Sequence, residues 1–382
     1  MEMEDKLHVL FLPNDFPTHI SPNRTLFYKD QAKAVLAQGC QVGVIATSLV
    51  SLREIKKIKF GIRSVTEDGI NIIYCVFPAF PKLRIINYYL KQIINKILYK
   101  KYIAKYHMPD LVHAHVYSVG SVAGWIKKNY NIPYILTEHF TGFARKIMKP
   151  WQLKLAKKVY EESSANIAVS KEFCSLLEEE FNTTFQFVPN VVDTNFFLPG
   201  EKTQRTDEFT FITVGHLQKK KNHIMLIRAF AVYLKNRPAD KLIIVGGGSE
   251  YNNLAKEIIK LNVQDNIILY GSAKREEVKK QMQLSDFFVL PSTFETFGVV
   301  IIEAMSCGLA VLSTRSGGPE SIIKNNDLGL LCNISVASIT DSLKKIVKMK
   351  FNRETIRNYA IENYSEQQVG NKLLGIYRKI LD

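Results

Sequence analysis

Two glutamates, Glu295 and Glu303, bracket the segment Glu295-Thr296-Phe297-Gly298-Val299-Val300-Ile301-Ile302-Glu303. It follows an apolar run ending Leu290-Pro291-Ser292 and leads into an apolar helix. Gly298 lets the backbone turn tightly beside a ligand. The amides after it are the open donors of a helix N-terminus, which suit an anion. Eight helical positions span about 800°, which leaves the two acids about 80° off a common face. With the helix starting at Gly298, Glu295 falls in the loop before it and Glu303 inside it. The two carboxylates could then reach opposite ends of one extended ligand. Glu295 could also merely cap the helix, with Glu303 paired to a nearby base.

Other constellations carry compatible chemistry. Val214-Gly215-His216-Leu217-Gln218-Lys219-Lys220-Lys221-Asn222 follows a strand pattern. Its three lysines could neutralise a diphosphate or form a solvated turn. Gly246, Gly247 and Gly248 follow another strand and would permit close approach of backbone to ligand, or simply turn the chain. Gly317-Gly318-Pro319-Glu320 repeats that arrangement. His113 and His115 end a strand, where alternation puts them on one face, and His139 follows a further strand in Leu136-Thr137-Glu138-His139. Strand carboxyl ends are where ligand residues sit. H-x-H with a distant histidine is too unspecific to imply zinc, so no metal is expected.

Positioning these residues needs alternating strands and helices. His8–Leu12, Gln41–Ala46, Ile70–Val76, Leu111–Ala114, Ile132–Leu136, Ile167–Val169 and Phe185–Val188 read as strands, with helices at Arg24–Gln38, Lys82–Lys105 and Ser121–Tyr130. The pattern restarts with strands Phe209–Val214, Leu242–Val245, Ile267–Tyr270, Phe287–Leu290 and Ala310–Ser313. Helices lie between them: Met225–Asn236, Tyr251–Leu261, one running through Gln283 and one from Gly298. Such alternation means βαβ units and parallel sheets covered on both faces. Pro189–Glu208 has the composition of a linker. The expected fold is α/β: two doubly wound, Rossmann-like parallel-sheet domains facing a deep cleft that takes the ligand.

The chain has 382 residues, 46% hydrophobic and 23% charged, enough for about two domains and too apolar for wholesale disorder. No run reaches the roughly 18 apolar residues of a membrane span. The acidic start and the stop at Pro13 predict no secretory signal peptide. Five scattered cysteines without a C-x-x-C pair predict no disulfide framework and a reducing cytosol. The net charge of +15 is spread over both halves. It is sharpest in 82–105, which holds seven basic residues and no acid among isoleucines, leucines and tyrosines. A basic amphipathic helix of this kind suits an anionic membrane surface, or covers a sheet with a solvated lysine face. No nucleic-acid-binding module is present, so no nucleic acid is expected as partner.

Taken together, these residues resemble glycosyltransferase family 4, retaining enzymes of GT-B fold. Glu295 and Glu303 match its E-x7-E element, within Leu290-Pro291-Ser292, Thr296-Phe297-Gly298, Ala304-Met305 and Gly308. Around it lie Pro189–Asp193, Val214–Leu217 with Lys221-Asn222, Val245–Gly248, Gly271, Asp286 and Gly317-Gly318. In the first half, Asp110–His115, Thr137–His139 and Val169-Ser170 fit the pattern. Two departures stand out. The loop Asn14–Thr25 lacks the glycine pair often found after the first strand, and the family's usual arginine after Gly215 is His216.

The resemblance implies an acceptor-side domain over 1–195 joined by a C-terminal helix over 364–382, and a donor domain over 196–363. It implies a nucleotide-sugar donor, UDP favoured over GDP, as substrate, with no cofactor and no metal. Glu303 would take the ribose hydroxyls and Glu295 would sit near the donor sugar and its phosphate. Gly246 and Gly247, with the amides of Phe297, Gly298, Val299 and Val300, would complete the donor site. Lys221, with His216, would meet charge on the departing diphosphate. His115 would approach the donor sugar, and Arg24, Thr25 and His139 would serve the acceptor side. The acceptor would be a saccharide or lipid-linked saccharide, and the product bacterial surface polysaccharide or lipopolysaccharide. The expected location is cytoplasmic, and the charge of 82–105, apart from the resemblance, allows a peripheral place on the inner face of the membrane. Two other readings remain: a non-hydrolysing nucleotide-sugar epimerase and a degenerate, non-catalytic GT-B binding module. A nicotinamide oxidoreductase would want G-x-G-x-x-G after the first strand, where Asn14-Asp15-Phe16-Pro17 stands instead.

Overall fold

The structure, a computed structural model, describes residues 6–17, 25–50, 60–81, 83–201 and 207–382. Arg24 and Lys82 lie outside the described residues. The chain divides into unit 1, Met1–Val191 with Glu366–Asp382, and unit 2, Val192–Ser365.

Unit 1 runs β1 (His8–Pro13), α1 (Leu26–Leu36), β2 (Gln41–Val50), β3 (Gly61–Glu67), β4 (Ile70–Pro78), α2 (Arg84–Tyr106), β5 (Leu111–His115), α3 (Tyr117–Tyr130), β6 (Tyr134–Glu138), α4 (Pro150–Glu162), β7 (Ala165–Ala168), α5 (Lys171–Phe181) and β8 (Gln186–Phe187). Its strands lie in the order β3-β4-β2-β1-β5-β6-β7-β8. Every residue of β1 is buried, as a near-continuous apolar run in the middle of a parallel sheet must be.

One strand departs from the expected all-parallel sheet. β3 pairs antiparallel with β4, with Glu67 opposite Ile70. Asp68 and Gly69 make the two-residue turn, both at positive φ, 51° and 80°. An Asp-Gly pair is the usual chemistry of such a hairpin. β3 is largely exposed, with Val65 half-buried against the core, and its two apolar residues, Ile62 and Val65, fall on opposite faces, so its sequence carries no alternation that would announce a strand.

Unit 2 runs β9 (Thr210–Val214), α6 (His223–Leu234), β10 (Lys241–Val245), α7 (Tyr251–Lys260), β11 (Ile267–Gly271), α8 (Arg275–Leu284), β12 (Phe287–Leu290), α9 (Val299–Ser306), β13 (Ala310–Thr314), α10 (Pro319–Ile322), β14 (Gly329–Cys332), α11 (Val336–Ile346) and α12 (Arg353–Tyr364). Its order, β11-β10-β9-β12-β13-β14, is doubly wound and parallel, with its reversal between β9 and β12. In unit 1 the reversal falls between β1 and β5. Loops at the carboxyl ends of those strands are the natural ligand positions.

The last helix, α13 (Glu366–Leu381), completes unit 1. Its Val369, Leu373 and Tyr377 enter the same core as Phe11, Val42 and Val44. The stretch read as a linker is anchored in part. Ser306 Oγ donates to the Phe197 carbonyl at 2.6 Å, and Arg357 donates to the Thr194 and Phe197 carbonyls, each at 2.9 Å. Phe197 is fully buried, so these residues form part of unit 2 and are no free tether.

Candidate functional site

In unit 2 the loops after β9, β12 and β13 converge. After β9, Lys219–Lys221 form one turn of 3-10 helix closed by Asn222 in the left-handed region, φ 56°. After β12, Thr293 N–H donates to the Lys220 carbonyl at 2.8 Å. After β13, the Ser316 carbonyl accepts from Glu295 N–H, and Gly318 N–H donates back to the Glu295 carbonyl, both at 2.9 Å. Gly318 must be small: a Cβ there would stand 2.4 Å from the Phe297 backbone.

This clamp brings Lys221 and Glu295 together. Lys221 Nζ donates to Glu295 Oε1 at 2.6 Å, and Ser292 Oγ donates to the same oxygen at 2.7 Å. Burial pushes the Glu295 carboxyl up, but the Lys221 charge and the two hydrogen bonds outweigh it and hold the group below the usual carboxylate range. Behind the pair, His223 is buried, and desolvation with the nearby Lys221 charge lowers its pKa to about 3. Its Nδ1 has no partner among the described residues.

Gly298, at φ 106°, is the N-cap of α9. Val299 and Val300 are the first residues of that helix, so their amides lack intrahelical acceptors. The Phe297 side chain is buried edge-on against Tyr364, which leaves only its backbone for a ligand. Glu303 lies inside α9, half-buried, as the spacing required. His216 is exposed.

Gly246 and Gly247 pack closely against neighbouring loops of unit 2. A Cβ on Gly246 would stand 1.9 Å from the Gly215 carbonyl oxygen, and one on Gly247 2.2 Å from Ser272 Oγ. The Gly246 amide already donates to the Gly271 carbonyl at 2.8 Å.

In unit 1, His113 and His115 stack at 4.2 Å between ring centroids. His113 bonds the Tyr377 hydroxyl and Thr137 Oγ1, each at 2.7 Å. His115 Nδ1 lies 3.2 Å from His139 Nε2. Desolvation lowers His113 and His139 to about 3 and His115 well below its ordinary value. His115 is fully buried among Phe11, Tyr28 and His113, so the ring expected to approach a sugar is enclosed within its own unit. Its Nε2 has no partner among the described residues. Glu138 lies beneath, accepting from Tyr117, His139 and Phe140 N–H and from Tyr160 OH at 2.8–2.9 Å. Thr25 is the N-cap of α1, at φ 54°, with its carbonyl accepting from Tyr28 N–H. Among the described residues, no three His, Cys, Asp or Glu side chains are grouped to hold a metal ion.

Sequence reasoning gave no role to Ser292, His223 or Tyr364. Nothing in their local sequence reports that they hold or back the Lys221–Glu295 pair and the Phe297 ring.

Residues 27–196 match the family described as Glycosyltransferase Family 4, and residues 196–363 match Glycosyl transferases group 1. The N-acetyl-alpha-D-glucosaminyl L-malate synthase of Bacillus anthracis is 26% identical over 284 residues, 71% of this chain and 74% of that protein. The sucrose-phosphate synthase of Thermosynechococcus elongatus superposes with a TM-score of 0.81 at 17% identity, covering 98% of this chain and 99% of its own. Anabaena HepE, solved with UDP and glucose, does so with a TM-score of 0.71 at 17% identity over 96% of this chain and 98% of its own. At such identities the structural likeness is one of fold. The two family matches run without a gap from residue 27 to residue 363, and the chain belongs to the glycosyltransferases of family 4 type and GT-B fold.

Proposed function

We propose that the protein transfers a sugar from a nucleoside diphosphate donor, UDP in first place, to a saccharide or lipid-linked saccharide, with retention at the anomeric carbon. The observation that carries this reading is the Lys221–Glu295 pair at the β9/β12 reversal, beside the open amides of α9. A cation and a helix N-terminus are what a departing diphosphate needs. Glu303, one turn into α9, takes the ribose hydroxyls, and Glu295 orients Lys221 and faces the sugar. The bond from the anomeric carbon to the diphosphate oxygen breaks. The bond to the acceptor oxygen forms on the same face, and the acceptor proton passes to the departing diphosphate. Lys221 and the Phe297–Val300 amides meet the charge, so the step uses no metal. Exposed His216 adds a hydrogen-bond donor. His139 serves the acceptor side, and His115 contributes its unpartnered Nε2 once a neighbouring ring yields. The complex of HepE with UDP and glucose supports the donor class.

The proposal includes work at the inner face of a bacterial membrane, on surface polysaccharide or lipopolysaccharide. No helix among the described residues is long and apolar enough to cross a membrane. α2 buries Ile94, Leu98 and Tyr102 and exposes Ile86, Tyr89, Ile93 and Ile97 at helical spacing, with Lys100 and Lys101 exposed on the same helix. An apolar stripe with cations fits an anionic leaflet. Retention of the protein in the supernatant with anionic vesicles at low salt would remove that part.

The donor reading is tested by thermal shift with UDP, GDP and ADP, with and without EDTA. A ligand that binds only the folded state must raise its stability. UDP should raise the melting temperature regardless of EDTA, and Glu303→Ala should abolish the shift. Absence of a shift with all three would overturn the reading.

A further inference from the structure

Unit 1 holds a cavity of about 370 Å³ that no residue assigned above explains. It opens at the carboxyl ends of β1, β5 and β6, where Asn14, Val116 and Phe140 line it. Three helices begin at its wall. Arg84 and Tyr88 come from the start of α2, Tyr117 and Ser118 from the start of α3, and Trp151 and Gln152 from the start of α4. These helices have 23, 14 and 13 residues; α2 and α4 bring positive dipole ends to the same space, while at α3 the Tyr117 N–H is taken by the Glu138 carboxylate.

Side-chain charge has the same sign. Arg84, Lys91 and Lys149 line the cavity, and no aspartate or glutamate does among the described residues. Arg84 and Lys149 are exposed. Lys91 is held in place by Asn14, donating to its backbone carbonyl and to its Oδ1, and Ser118 Oγ donates to that same Oδ1. Val116 adopts φ 76°, costly for a β-branched residue and found where function needs it. Trp151 and Tyr88 meet edge to face at 5.8 Å, a broad apolar surface beside the charges.

We infer that this cavity binds a phosphorylated sugar, its phosphate between Arg84 and Lys149 at the converging helix starts and its ring against Trp151 and Tyr88. The volume suits a monosaccharide with one phosphate or the head of a lipid-linked sugar diphosphate. The inference deepens the transferase reading by assigning the acceptor class and rests on it for the direction of transfer. Binding itself does not depend on the donor site.

The chain has two tryptophans, and Trp125→Phe leaves Trp151 alone to report. The full-length variant is titrated by fluorescence with glucose 1-phosphate and with glucose, each with and without saturating UDP, and calorimetry on the unaltered chain repeats the titration. A third arm uses a polyprenyl diphosphate sugar in phosphatidylcholine vesicles, against plain vesicles. The phosphorylated sugar should bind at least about tenfold tighter than glucose, and Arg84→Gln and Lys149→Gln should each cost about tenfold. The thermal shift with UDP should be unchanged in both variants. Binding of glucose 1-phosphate assigns a soluble acceptor, and binding only in the vesicle arm assigns a lipid-linked one. The inference is overturned by equal affinity for glucose, by full affinity in the Arg84→Gln/Lys149→Gln double variant, by loss of the signal with UDP, or by no binding in any arm. A chain that binds the phosphorylated sugar but shows no shift with UDP would sink the donor reading and leave this site standing.

Discussion

Lys221 and Glu295 are 74 positions apart and meet at 2.6 Å. Each could be picked out from its own neighbourhood as an acid or a cation near a strand end, but no local pattern says that they touch. Through this contact Lys221 offsets a buried carboxylate, and in the proposed reaction it also faces the departing diphosphate. Lys221→Ala should therefore lower kcat by about 10²–10³ and also destabilise unit 2, since removing one partner of a buried pair costs about 3–5 kcal/mol. Adding Glu295→Gln to that variant should recover most of the stability and none of the turnover. Denaturant melts and initial rates on the single and double variants separate the two effects. Recovery of turnover in the double variant would reduce Lys221 to a counter-ion. The histidines show the limit of residue-level reading. His115 and His139 have the chemistry of site residues and the expected strand-end positions, yet only packing by Phe11, Phe27 and Tyr28 decides how far they are enclosed.

At the scale of elements, the start of α9 is aimed by a neighbouring loop. The backbone bonds between Glu295 and the Ser316–Gly318 turn fix where the chain leaves β12 and hence where the first α9 amides point. Gly318 has an ordinary φ of −74°, so a substitution there is disfavoured by contact and not by conformation. Gly318→Ala should cost about 1–3 kcal/mol, as overpacking does, and should raise KM for the donor by displacing α9. Unchanged stability and KM would mean the loop yields freely. Most helices and strands were legible because burial of one face leaves a period in the sequence. β3 was not, since its two apolar residues, Ile62 and Val65, fall on opposite faces and leave no period, although Asp68-Gly69 marks its turn. The anchored part of the 189–208 stretch was also hidden, because its polar and proline-rich composition says nothing of the Arg357 and Ser306 side chains that bind its carbonyls.

Across the whole molecule, buried neutral histidines set the response to acid. His113 and His139 in unit 1 and His223 in unit 2 have folded pKa values of about 3, against 6.5 in an exposed chain. Between those values the unfolded chain binds protons that the folded one does not, so stability falls as pH falls and is retained in full above about 6.5. Each histidine should cost about 2 kcal/mol between pH 7 and pH 5. Glu295, held low, adds to the loss below its ordinary range, while Glu138, raised by burial, opposes it. Urea melts at both pH values test this, with unit 1, where His115 is lowered as well as His113 and His139, expected to lose about three times as much as unit 2. Equal stability at pH 7 and pH 5 would show that these rings are hydrated. The sequence alone determined the α/β class, the break into two units, and the candidate cations, carboxylates and histidines, because periodicity, turn chemistry and strand-end motifs are properties of neighbouring residues. Only the tertiary structure decided which of them meet. The Lys221–Glu295 pair, the enclosed histidines and the convergence of three helix starts on one basic cavity depend on strand order and loop geometry, which bring together residues too far apart in the chain to leave a common pattern.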